Sequence, residues 1–161
     1  MNLTRRTALG ALAAAMSGAT APRFFSESEY ALLDAVAALI IPADERSGGA
    51  REALVARFID FLVAHCPEAI RANWKTRLAA FDRLAVERCG KPFLQAGTSE
   101  QTALLDLVAR NENDPRTPAE HFFADLKKAT LFAYYTCQTG LLKELGYQGN
   151  RALHDFPGCA R

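Results

Sequence analysis

An all-α fold is predicted by three features of this 161-residue chain. Half of the residues are apolar, alanine, leucine and phenylalanine dominate among them, and β-branched runs are scarce. Apolar residues recur at three- and four-residue steps, and no period-two alternation persists. Capping boxes, prolines and glycines punctuate those periodic segments where helices start and stop. The expectation is a single compact helical domain over residues 22–161, of about five helices, the C-terminal one long. A cleavable signal segment over residues 1–21 precedes it.

The signal expectation rests on Thr4-Arg5-Arg6-Thr7-Ala8-Leu9, a twin-arginine pattern, followed by the uncharged, weakly apolar run Ala8 to Ala21. Small residues offer cleavage after Ala19 or after Ala21, the second disfavoured by Pro22 beyond the cut. The run is too short for a bilayer, which takes about 20 apolar residues. Twin-arginine export carries folded proteins, so the chain or something bound to it folds before transport.

The first helix of the domain starts at Ser26, where Ser26 and Glu29 form a capping box and Phe25 can staple against Tyr30. Leu32, Leu33, Val36, Leu39 and Ile40 make its inward stripe, and Pro42 stops it. The loop from Pro42 to Gly49 has two acids and two glycines. It lacks both the Lys-Ser/Thr of a phosphate loop and the alternating acids of a calcium loop, so it reads as a capped turn. A second helix is expected from about Ala50 to Ala64, with Leu54, Phe58, Ile59 and Leu62 inward. A third begins at Pro67, repeats Ile70, Trp74, Leu78, Phe81 and Leu84, and ends at Gly90. Thr98 and Gln101 are expected to cap a fourth, carrying Leu104, Leu105 and Val108.

The last helix opens with Thr117-Pro118-Ala119-Glu120, a capping box with proline at the first helical position. Gly146 stands where a left-handed cap would close it, so the stretch Phe122 to Gly149 reads as one helix roughly 40 Å long. No charge interrupts Ala129 to Leu142. One stripe of the helix, Phe122, Leu126, Ala129, Ala133, Cys137 and Leu141, has core spacing. A second, comprising Leu131, Tyr134, Tyr135, Gln138, Leu142 and Leu145, calls for another cover, and a helix apolar nearly all round is buried all round. Leu131, Tyr134, Tyr135, Gln138 and Leu142, with Tyr147 beyond the cap, are the candidate partner interface, because interfaces are rich in aromatics and poor in charge. Ordinary core packing is the competing reading.

Charge and chemistry-bearing residues narrow the function classes. The formal net charge is +1, and losing Arg5 and Arg6 with the leader leaves 17 basic residues against 18 acidic. With no basic run or groove, nucleic acid is not an expected partner. His65, His121 and His154 are not at metal-ligand spacing, and neither a Gly-x-Ser-x-Gly elbow nor a dinucleotide fingerprint occurs. No catalytic, cofactor-binding or metal residue is therefore assigned. The cysteines Cys66, Cys89, Cys137 and Cys159 form no Cys-x-x-Cys and no haem-attachment motif. In an exported chain they allow disulfides, Cys137–Cys159 or Cys66–Cys89 being favoured, with buried free thiols an equal reading.

The chain resembles the gluconate 2-dehydrogenase subunit 3 family, the small or gamma subunits of periplasmic flavin-dependent sugar and polyol dehydrogenases. The pieces that carry the resemblance extend over most of its length. They are Thr4-Arg5-Arg6, Ile41-Pro42-Ala43-Asp44, Gly49-Ala50, Phe58-Ile59-Asp60, Phe122-Phe123, Leu126-Lys127 to Tyr134-Tyr135-Thr136, Glu144-Leu145-Gly146-Tyr147-Gln148-Gly149 and Gly158-Cys159. The resemblance implies a non-catalytic subunit that carries the twin-arginine signal for a larger partner. That partner would be a glucose-methanol-choline type flavoprotein holding FAD, with a c-type cytochrome bearing haem c as a third subunit. The location implied is the periplasm, with membrane association through the complex. Two other expectations stand beside it: a stand-alone exported helical interaction module, and a small periplasmic enzyme with an unrecognised site.

Overall fold

The computed structural model describes residues 21–45 and 47–149; residues 1–20 of the expected signal segment, with Arg5 and Arg6, and also His154 and Cys159 lie outside them. Six α-helices are described: α1 (Glu27–Ile40), α2 (Gly49–Glu52), α3 (Val55–Ala64), α4 (Glu68–Cys89), α5 (Thr98–Ala109) and α6 (Pro118–Thr136). A 3-10 turn at Phe93–Gln95 precedes α5, and a π-helical turn at Thr139–Glu144 follows α6. No strand occurs among the described residues. The domain is all-α, as its periodicity predicts.

Helix α6 is the centre of the fold, packing against α1, α3, α4 and α5, most extensively α4. An aromatic chain runs through the core beside it: Phe25, Trp74, Phe122, Phe81 and Phe93, with successive ring centroids 6.3, 6.2, 5.1 and 5.1 Å apart. Each fully buried phenylalanine contributes roughly 1.5–3 kcal/mol by leaving water, so these rings are a large share of the driving force. Ion pairs fasten the helices at the rim, Lys75 to Glu29, Arg77 to Asp125 and Lys127 to Glu112.

The capping chemistry follows the sequence closely. Ser26 and Glu29 form the expected box at α1, as do Thr117 and Glu120 at α6. Gly90 ends α4 in the left-handed region at φ 70°. At α5 the cap sits one residue earlier than expected: Gly97 is the N-cap, and Glu100 rather than Gln101 reaches back to its amide at 2.7 Å. Gln101 instead donates to the carbonyl of Phe93 at 2.9 Å, tying the 3-10 turn to α5.

Two segments depart from expectation. The helix expected over 50–64 is broken, because Leu54 takes φ 53° and ψ 37° between α2 and α3. The break rotates α3 so that Val55, Ala56, Ile59 and Val63 face inward. Of the four residues expected inward, only Ile59 is buried; Leu54, Phe58 and Leu62 are exposed. The expected long helix also stops at Thr136. Cys137 is extended at φ −88° and ψ 167°, and the π turn starts two residues on. Thr136, Cys137, Thr139 and Gly140 are all poor helix formers, and the Thr136 hydroxyl donates to the Phe132 carbonyl at 2.6 Å in competition with the helix. Gly140 makes the return possible, since a Cβ there would lie 2.1 Å from the Tyr134 carbonyl oxygen. Gly146 is left-handed at φ 59°, but it closes the π turn rather than a long α-helix, with the Tyr147 amide donating to Leu141 at 2.9 Å.

Candidate functional site

The residues proposed from sequence as a partner interface do not lie on one continuous helix, and one of them is buried. Tyr134 is 0% exposed and belongs to the core. Its hydroxyl donates to a Glu144 carboxylate oxygen at 2.7 Å and lies 2.5 Å from Ser47 Oγ. With the tyrosine proton committed to Glu144, Ser47 is left to donate to Tyr134, while Ser47 Oγ accepts from the Gly49 amide at 3.0 Å. Burial raises the phenol above its ordinary value against the Ser47 hydrogen bond, and Glu144 raises it further, so it stays protonated and a donor. Tyr135 is half-buried, and Leu131, Gln138, Leu142 and Tyr147 are exposed. The helix ends at Thr136, so Leu142 and Tyr147 are not carried by α6 with Leu131. The helical stripe assumed for these residues is therefore not continuous.

The larger apolar surface lies on α3 and the middle of α6. Val55, Ala56, Ile59, Asp60 and Val63 are buried on the inward side of α3, and Arg57, Phe58, Phe61 and Leu62 are left on its outer side. Phe58, Phe61 and Leu62 are exposed on it, with Leu54 at its start. Phe58 meets Phe132 of α6 at a centroid distance of 6.1 Å. Phe132 is 60% exposed and shares a shallow hollow with Leu62, Ile70 and Trp74. A second hollow, lined by Leu54, Phe58 and Phe61, continues the surface to Pro22 and Arg23. The Arg23 guanidinium lies over the Phe61 ring, 5.2 Å from its centroid. The sequence held a signal for this surface: 54, 58 and 62 form one apolar helical stripe and 55, 59 and 63 another beside it. Leu54, Phe58 and Leu62 were expected inward together with Ile59, and Val55 and Val63 join Ile59 there instead.

Asp60 anchors this region. It is 3% exposed, and its carboxylate accepts from the amides of Arg23, Phe24 and Phe25 at 2.6, 3.1 and 3.0 Å. Three consecutive amides on one carboxylate fix the segment before α1 against α3, satisfying a charge that would otherwise be costly to bury.

The remaining chemistry-bearing residues are dispersed. His65 caps the C-terminus of α3, with Nδ1 2.7 Å from the Phe61 carbonyl oxygen. His121 lies in the first turn of α6, where its amide donates to Thr117. The loop before α2 is a closed turn in which the Ser47 amide donates to the Asp44 carboxylate at 2.8 Å. Cys66, Cys89 and Cys137 form no disulfide among the described residues, so the Cys66–Cys89 pairing does not form, while the Cys137–Cys159 pairing falls outside them; Cys66 and Cys137 donate to the helix carbonyls of Leu62 and Tyr134. Among the described residues, no group of three or more His, Cys, Asp or Glu side chains could hold a metal ion. No helix among them is long and apolar enough to cross a membrane.

No curated protein and no solved structure matches the chain significantly. The family model described as gluconate 2-dehydrogenase subunit 3 matches residues 27–151, from the first residue of α1 to just past the π turn. A match over that much of the sequence settles its kinship: the chain belongs to the gluconate 2-dehydrogenase subunit 3 family.

Proposed function

We propose that this chain is the non-catalytic small subunit of a periplasmic FAD-dependent sugar or polyol dehydrogenase of the glucose-methanol-choline type, and that it escorts the flavoprotein through the twin-arginine pathway. The observation that carries the reading is the family match, because a subunit 3 of a dehydrogenase complex has dehydrogenase partners. The exposed aromatic surface of α3 and α6 supports it, since a lone domain gains nothing in stability by leaving phenylalanines in water. Arg5 and Arg6 supply the address, FAD resides in the larger partner, and a cytochrome with haem c accepts the electrons.

The escort role is tested by replacing Arg5 and Arg6 together with lysine and fractionating cells. Dye-linked dehydrogenase activity on gluconate and related sugars should leave the periplasm and accumulate in the cytoplasm. Undiminished periplasmic activity would overturn the escort.

A further inference from the structure

The geometry points to the α3/α6 aromatic surface, and not the segment after Cys137, as the face on which the dehydrogenase partner docks. This inference rests on the subunit reading above and adds the location and chemistry of the interface. The surface is continuous: one hollow joins Leu54, Phe58 and Phe61, the Phe58–Phe132 contact bridges the two helices, and the other hollow joins Phe132 to Leu62 and Ile70. An aromatic centre of this kind is what protein interfaces enrich.

Two further observations say what covers it. The first is charge. Arg23, Arg57 and Lys128 are exposed around this surface, and none forms an ion pair among the described residues. The nearby acids are already engaged, Asp60 by three amides and Asp125 by Arg77. A chain close to neutral overall thus presents an apolar centre with a basic rim. Its complement is an apolar patch edged by carboxylates on the dehydrogenase subunit. A second copy of this chain would set those cations against each other.

The second observation is Leu54. It is the only non-glycine residue at positive φ among the described residues, and it is 56% exposed. A glycine would suit that backbone better, and no core contact accounts for so exposed a leucine. Strain held at an exposed apolar side chain fits a residue retained for contact with another molecule.

The test uses the full-length tagged chain expressed in its native cells, with captured dehydrogenase read as flavin absorbance and dye-linked activity on gluconate. Phe132→Glu and the pair Arg57→Glu/Lys128→Glu should each lower capture by roughly tenfold or more, the pair's deficit depending on ionic strength. Leu54→Gly should weaken capture while its own unfolding temperature holds or rises, a combination that a purely structural role would not give. Leu142→Glu and Tyr147→Glu should leave capture within about twofold of the parent, as substitutions outside an interface do. If those two abolish capture while the α3/α6 variants retain it, the docking face is wrong and the subunit reading stands. If the parent chain captures no dehydrogenase, the subunit reading fails first. A parent chain that self-associates through Phe132, so that Phe132→Glu turns a dimer into a monomer, would also overturn the proposal.

Discussion

Asp60 shows how one side chain can fasten a whole segment to the core. Its carboxylate is the common acceptor for three successive amides in the segment before α1 that would otherwise be orphaned. Replacing it with alanine would remove charge-assisted bonds and leave buried donors without partners. Asp60→Ala should lower the unfolding free energy by about 3 kcal/mol in urea titrations, and Asp60→Asn by less because one carbonyl oxygen can still accept. Equal stabilities for parent and alanine variant would show that these amides find other partners. The sequence offered no hint of this role beyond placing an acid between Ile59 and Phe61 on a largely apolar helix. Which backbone groups would meet it depends on residues more than thirty positions away.

At the scale of elements, the N-terminus of α6 shows a cap whose chemistry was legible in advance. Glu120 accepts from the Arg116 and Thr117 amides at 2.8 and 2.9 Å and from the Asn111 side chain at 2.8 Å. The Arg116 amide, the Asn111 side chain and the Thr117 amide hold its carboxyl down to about 2, against an ordinary 4.5. A depressed folded value means that this stabilisation is complete above pH 4.5 and is lost as pH falls toward 2. Glu120→Gln should therefore flatten the acid limb of the unfolding temperature between those values, with a smaller difference from the parent at low pH than at neutrality. Parallel pH profiles for the two proteins would remove Glu120 from the acid response. Elsewhere, the helix ends were harder to read. The propensities of Thr136, Cys137, Thr139 and Gly140 argued for a break, but the apolar periodicity through Leu142 argued against one. Packing decided between them, because Gly140 lies against the Tyr134 carbonyl.

In the whole molecule, Tyr134 links three segments far apart in sequence. The chain of hydrogen bonds from the Gly49 amide through Ser47 and Tyr134 to Glu144 joins the turn before α2, the central helix and the π turn. Lys143 pairs with Glu52 beside it. Tyr134→Phe would leave Ser47 and Glu144 without this shared partner at little change in volume. A loss of about 1–2 kcal/mol is expected, with faster amide exchange in Thr139–Glu144 than in α4. Unchanged exchange in the π turn would show that Lys143 and Glu52 suffice to hold it.

Local chemistry in the sequence determined the helical class, the capping boxes at Ser26 and Thr117, the stop at Gly90 and the core positions of Leu104, Leu105 and Val108. Each depends on residues within a turn or two of one another. Tertiary structure alone decided which face of α3 is buried and that Tyr134 is a core residue rather than a contact residue. Residues 54–63 carry two apolar stripes of similar strength. The choice between them depends on the left-handed turn at Leu54, on Asp60 finding the amides of Arg23 to Phe25, and on the volume available beside α6. Those are distances between separate segments, and helical periodicity contains no information about them.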